Sequence, residues 1–209
     1  MPKTTFAAAA AEIARRDKVM ARLIKRTGPF RLPRPTTDHF AALAESILYQ
    51  QLAGAAARAI HQRFVALFDG ALSPEAVLAL PPQRLRAAGL SGNKVASIRD
   101  LAAKVVDGTV PLHRIGRLSD EEVIARLTVV RGIGPWTAEM FLIFQLRRLD
   151  VWPVADYGVR KGYALAYGLR APPTPKRLQG EGERFRPYRT VAAWYCWQAV
   201  HEHRAGTNT

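Results

Sequence analysis

The chain has 209 residues, 48% of them hydrophobic, which is enough to bury a core in one compact domain or two small lobes, and it carries a net charge of +14 at a pI near 10.7. Its richest apolar run, Met140 to Phe144, is bounded by Glu139 and Gln145 and falls far short of the roughly 20 residues that cross a bilayer. The N-terminal stretch opens with Lys3 and then runs from Phe6 to Ala11, too short for a secretory segment and ended by Glu12, and the lone Cys196 excludes an intrachain disulfide or a cluster site built on several thiolates, so a cytoplasmic, non-secreted protein is expected.

The charge is uneven. Residues 1 to 35 hold nine Lys/Arg against two acids and residues 160 to 209 nine against three, which puts +7 and +6 at the ends and only +1 in the middle. Basic ends of this kind suit a groove that neutralises phosphates, although charge alone fits a merely basic surface equally well.

Helical periodicity runs almost throughout, with no sustained two-residue alternation, so the fold class expected is all-α. A first helix is predicted over Ala7 to Ile24, broken by the prolines of Gly28 to Pro35, and a second over 38 to 52. A third spans Ala55 to Phe68, after which Ser73-Pro74-Glu75 reads as a helix start. Ser91 caps a helix in which Val95, Ile98, Leu101, Ala102 and Val105 recur at spacings of three and four, ending at Gly108. Ala171 to Gly182 reads as a Pro/Gly-rich loop.

Ser119-Asp120-Glu121-Glu122 has the form of a capping box and opens a helix through Val130. Arg131-Gly132-Ile133-Gly134 then interrupts it with two glycines able to take left-handed dihedrals, and Pro135 opens an apolar helix from Trp136 to Leu146. The product is a helix, a hairpin and a helix. Its glycines leave backbone N–H groups bare beside a helix start, an arrangement that suits a phosphate. An ordinary helix–helix turn is the plain alternative.

The segment Val130 to Ala138, Arg-Gly-Ile-Gly-Pro-Trp-Thr at its centre, resembles the hairpin signature of the helix-hairpin-helix DNA glycosylase superfamily. The likeness extends to Ile47-Leu48-Tyr49-Gln50-Gln51-Leu52, to Gly89-Leu90-Ser91 with Lys94, to Pro153-Val154-Ala155-Asp156, and to Arg186-Pro187-Tyr188-Arg189 with Trp197, covering about residues 38 to 200. It is nearest the DNA-3-methyladenine glycosylase II branch, in a short form without the extra N-terminal β lobe. The resemblance implies two helical lobes, one from 1–39 and 154–209, the other from 40–153 with the motif at 119–148, and an active-site cleft between them. It implies Asp156 as the catalytic residue, with Trp136, Tyr157 and Trp197 lining a base pocket. The DNA backbone would be held at Gly132, Ile133, Gly134, Thr137, Lys94 and Arg189, and Gln51 or Leu52 would fill the gap left by a flipped nucleotide. The resemblance implies duplex DNA carrying a damaged base as the partner and a monomeric enzyme. Trp136 stands where strand-cutting members carry a lysine nucleophile, so no lyase step is expected. No cofactor or catalytic metal is expected, and whether the hairpin carbonyls hold a structural monovalent cation, as in some relatives, stays open.

Each reading has a plain rival. Asp156 can simply cap its helix, and the aromatic residues can simply pack a core. Met140 stands where an aromatic is expected one turn after Trp136. His201-Glu202-His203 lacks the spacing of a zinc site, and Ser46 and Cys196 lack a His–Asp partner in sequence. At the level of the whole chain, the alternatives are a glycosylase for uracil or an oxidised purine, and a non-catalytic DNA-binding protein that reuses the hairpin.

Overall fold

The computed structural model describes residues 4–36, 38–69 and 72–207, so Lys3 lies outside the described residues, and every regular element among them is helical. The chain divides into two compact units, Arg34–Leu146 and the pair Met1–Pro33 with Arg147–Thr209. The boundaries fall earlier than the expected 39/40 and 153/154. At the second, residues 147 to 153 belong with the chain ends because Thr190 and Arg189 fasten them: Val151 N–H donates to Thr190 Oγ1 at 2.9 Å, and Thr190 N–H to the Leu149 carbonyl at 3.0 Å.

In the unit built from the chain ends, the predicted first helix is two, α1 (Phe6–Arg16) and α2 (Lys18–Thr27). Asp17 breaks them: its backbone turns extended, at φ −134° and ψ 113°, and its Oδ1 accepts the N–H groups of Val19 and Met20, both at 2.9 Å, as the N-cap of α2.

In the central unit, α3 (His39–Tyr49) is capped by Asp38 and stops three residues short of the predicted end. α4 (Gly54–Val65) tightens into a 3-10 turn at Ala66–Phe68, and the short α5 (Pro74–Ala79) and α6 (Pro82–Ala87) follow. α7 (Gly92–Val106) starts on the predicted Ser91 cap and buries Val95, Ile98, Leu101 and Ala102. α8 (Asp120–Thr128) has both hydrogen bonds of its capping box, Ser119 Oγ taking Glu122 N–H at 3.2 Å and Glu122 Oε2 taking Ser119 N–H at 2.8 Å. α9 (Pro135–Met140) passes into a π-helix at Phe141–Gln145. The buried Gln145 amide is satisfied there, donating to the Thr36 carbonyl at 2.8 Å with His39 Nδ1 at 3.0 Å.

The chain returns to the first unit through Arg147–Asp156 and forms α10 (Tyr157–Tyr167), α11 (Pro175–Gly182) and α12 (Arg189–Thr207). The expected loop at 171–182 is therefore mostly helix, because Thr174 caps it by accepting Arg177 N–H and Pro175 occupies the first turn. Trp152 anchors the returning strand of chain, donating to the Leu178 carbonyl at 2.8 Å and packing so tightly on Gly182 that a Cβ there would lie 2.3 Å from its Nε1. α10 and α12 approach just as closely: a Cβ on Gly162 would lie 1.8 Å from the Cys196 carbonyl oxygen.

Candidate active site and nucleic-acid interface

Asp156 is the N-cap of α10. Its Oδ1 accepts Val159 N–H at 2.7 Å and Trp197 Nε1–H at 2.9 Å. The first bond begins the helix, and the second fixes the carboxylate from α12, which reaches it only because Gly158 and Gly162 carry no Cβ. A side chain at 158 would meet Trp197 Cδ1 at 2.9 Å and Asp156 Oδ1 at 3.0 Å. Trp197, expected to line a base pocket, thus holds the candidate catalytic group. Tyr157, next in sequence, is 62% exposed, which removes core packing as its explanation. The thiol of Cys196 is pushed up by burial first and by the nearby Asp156 charge second, so it is an inert, protonated packing element.

The hairpin lies in the other unit. Gly132 has φ +80°, and a Cβ on it would fall 2.7 Å from Ser97 Oγ, so both backbone and packing require glycine. Gly134 corrects the expectation of two left-handed glycines: at φ −94° and ψ 175° it is extended, and a Cβ there would meet nothing within 4 Å. Its bareness serves no internal contact. Ile133 is buried, so only its backbone can face a ligand. Thr137 is 6% exposed, with little of its side chain reachable from outside. Trp136, 46% exposed, lines a cleft of about 570 Å³ with Thr137, Met140, Ser46, Tyr49 and Gln51. Gln51, a non-glycine residue at φ +57°, and Leu52, 37% exposed, form the turn after α3.

Two expected phosphate ligands have other partners. Arg189 has its side chain 11% exposed and its guanidinium forked onto Asp150, Nε to Oδ1 at 2.8 Å and Nη2 to Oδ2 at 3.0 Å, with a further bond to the Asp150 carbonyl. A bidentate pair of this kind satisfies the fork, so Arg189 positions the link that leads to Asp156. Lys94 donates from Nζ to the Leu48 carbonyl in the last turn of α3, and burial holds its pKa below the ordinary lysine value.

Sequence reasoning missed the supporting residues. Gln50 donates from Nε2 to the Gly132 carbonyl at 2.9 Å, and Asp100 Oδ2 accepts Arg131 N–H at 2.8 Å. Gln50 sat inside a quoted motif, but nothing in its neighbours says where its amide goes. A hydrogen bond on the Gly132 carbonyl leaves it a second lone pair. Among the described residues there is no cluster of three or more His, Cys, Asp or Glu that could hold a metal ion, and no helix is long and apolar enough to cross a membrane.

Residues 44–187 match the family model of the HhH-GPD superfamily base excision DNA repair proteins. The chain is similar to DNA-3-methyladenine glycosylase 1 of Schizosaccharomyces pombe, 36% identical over 187 residues that cover 87% of this chain and 82% of the relative. Its fold is similar to a solved S. pombe 3-methyladenine DNA glycosylase in complex with abasic DNA, with a TM-score of 0.81 at 35% identity over 91% of this chain and 95% of that one. A DNA-3-methyladenine glycosidase from Bacillus halodurans gives a TM-score of 0.87, also at 35% identity, over 94% and 91% of the two chains.

Proposed function

Because the chain belongs to the HhH-GPD superfamily of base excision DNA repair proteins, we propose that it is a monofunctional DNA glycosylase that hydrolyses the N-glycosidic bond of alkylated purines, 3-methyladenine foremost, in duplex DNA. It acts as a monomer in the cytoplasm, on the nucleoid if its host is a bacterium, and leaves an abasic strand intact.

The observation that carries the reading is Asp156, oriented through Oδ1 by the Val159 amide and the Trp197 indole. Leaving of the base places positive charge on the deoxyribose, and a fixed carboxylate stabilises that charge. At about 4 Å and an effective dielectric near 20 the attraction is about 4 kcal/mol, roughly a thousandfold in rate. Asp156 also orients the attacking water. The target must leave the stack to reach it, and Gln51 or Leu52, on an exposed turn, would fill the gap. An alkylated purine carries its own positive charge and is already a good leaving group, so the indole face of Trp136 binds it without a general acid. The backbone amides of residues 132–134 take the phosphate, and the basic excess of the chain ends supplies the long-range attraction.

Trp136 has no amine with which to form a Schiff base. Incubation with a duplex containing a single 3-methyladenine should release the free base and leave strands that break only on alkali treatment, with no adduct after borohydride. A trapped adduct would refute the monofunctional assignment, and absence of base release would refute the enzyme.

A further inference from the structure

The hairpin and the exposed turn at Gln51-Leu52 hang from one helix. α7 presents Asn93, Lys94, Ser97 and Asp100 at helical spacing, three of them toward the hairpin and Lys94 toward the end of α3. Asp100 Oδ2 accepts the Arg131 amide at 2.8 Å, and Asn93 Oδ1 accepts the Arg131 guanidinium at 3.1 Å. Ser97, buried, lies directly beneath Gly132, and Lys94 reaches the Leu48 carbonyl at the end of α3. A cation there both satisfies a carbonyl that the helix leaves unpaired and complements the negative end of its dipole. Gln50 closes the circuit, its amide running from the turn to the Gly132 carbonyl. Directly after these two fastenings, at Leu48 and Gln50, Gln51 takes φ +57°, a strained conformation that a non-glycine residue keeps only where its surroundings impose it.

We propose that Lys94 and Gln50 are positioning residues that couple the hairpin's hold on the DNA backbone to the placement of the turn that fills the gap, so that seating the hairpin presents Gln51 and Leu52 for extrusion of the target nucleotide. The proposal rests on the glycosylase reading above. It assigns Lys94 to the protein's own α3 in place of a phosphate, and it gives Gln50 a task distinct from that of its neighbour Gln51.

The test separates holding DNA from extruding a nucleotide. Lys94→Met, Lys94→Arg and Gln50→Leu are compared with wild type on a duplex bearing an abasic analogue beside 2-aminopurine. Anisotropy across a salt series gives affinity, and fluorescence at saturation gives extrusion. Loss of a hydrogen bond by either substitution should leave Kd within about threefold of wild type while the extruded fraction and the single-turnover excision rate fall about 10-fold or more. Lys94→Arg, which keeps the cation and a donor, should recover most of the signal. If Lys94→Met instead weakens binding to every duplex, lowers the salt slope by about 0.9 and leaves extrusion at saturation unchanged, Lys94 is a phosphate ligand and the coupling is refuted. Wild-type extrusion by both Lys94→Met and Gln50→Leu refutes it as well. Should Lys94→Met fail to fold by circular dichroism, Gln50→Leu decides, since its partner carbonyl lies on an exposed glycine that water can satisfy. A wild-type protein that binds and extrudes but releases no alkylated base would defeat the glycosylase reading and leave the coupling standing.

Discussion

Trp197→Phe keeps an aromatic face and removes one N–H, so it separates a base-stacking role for this residue from the task of holding Asp156. The lost contact is the 2.9 Å bond from Nε1 to Asp156 Oδ1. A hydrogen bond to a charged group is worth about 1.5–3 kcal/mol, or roughly 10- to 150-fold if it acts only in the transition state. The helix start survives, because the Val159 amide still donates to the same oxygen at 2.7 Å. The smaller ring leaves a void beside Gly158, which has no side chain to fill it, and this costs about 1–3 kcal/mol of stability by the usual price of deleted buried atoms. Excision of 3-methyladenine with enzyme in excess should therefore slow about 10- to 100-fold, with affinity for an abasic-analogue duplex changed by less than about threefold. A Trp197→Phe enzyme that excises at the wild-type rate refutes the positioning argument. So does one that loses duplex affinity while its bound-state rate is preserved, since that result marks a stacking surface.

Asp156→Asn should lower single-turnover excision about a thousandfold with little change in melting temperature, since the amide oxygen still caps α10 and DNA affinity is kept or raised; a fully active variant removes Asp156 from the chemistry. The two hairpin glycines should respond oppositely to alanine: Gly132→Ala should lose about 1–3 kcal/mol of stability in urea from strain alone, whereas Gly134→Ala should melt like wild type yet bind all duplexes more weakly. Equal melting temperatures for the pair would contradict this assignment of dihedrals. Gly162→Ala must push α12 off α10, because its Cβ would sit 1.8 Å from the Cys196 carbonyl, and a loss of about 3 kcal/mol or more is expected in denaturant titration. A loss under about 1 kcal/mol would mean that this crossing is loose.

Local chemistry was legible wherever it ran along one stretch of chain. Ser91 and Ser119 cap α7 and α8 as their neighbours predict, and the apolar residues of α7 face inward at the predicted spacing. Two misreadings of helix bounds share one cause, which is that propensity and period do not register a cap. Asp17 splits an uninterrupted run by binding two amides, and Thr174 rescues a helix from a segment rich in proline and glycine. The candidate site was legible as a set of residue types and spacings, and much less so as a set of tasks. Arg189 and Lys94 read as free cations because their acceptors, Asp150 and the Leu48 carbonyl, lie 39 and 46 residues away. The bond from Trp197 to Asp156 was not legible, because the indole N–H has no direction in a sequence.

The geometry around Asp156 depends more on missing side chains than on present ones. An N-cap carboxylate alone is tied at one edge, by its own helix, and could turn with the helix end. A second donor from another element fixes its orientation, and that donor must come within hydrogen-bond distance of a residue whose helix is already packed in the core. Gly158 and Gly162 provide the approach: one leaves room for the Trp197 ring and the other for the α12 backbone itself. Four residues apart on α10, they form one bare strip along which α12 lies. Alanine at Gly158 should then resemble Trp197→Phe in its kinetics, with a slower bound-state step and intact binding, because the new methyl would lie 2.9 Å from the Trp197 ring and 3.0 Å from Asp156 Oδ1 and so disturbs the bond between them. Alanine at Gly162 should be felt first as lost stability. The two positions thus distinguish the orientation of the carboxylate from the packing that permits it, and matching defects in both would show that the strip acts only as a helix contact.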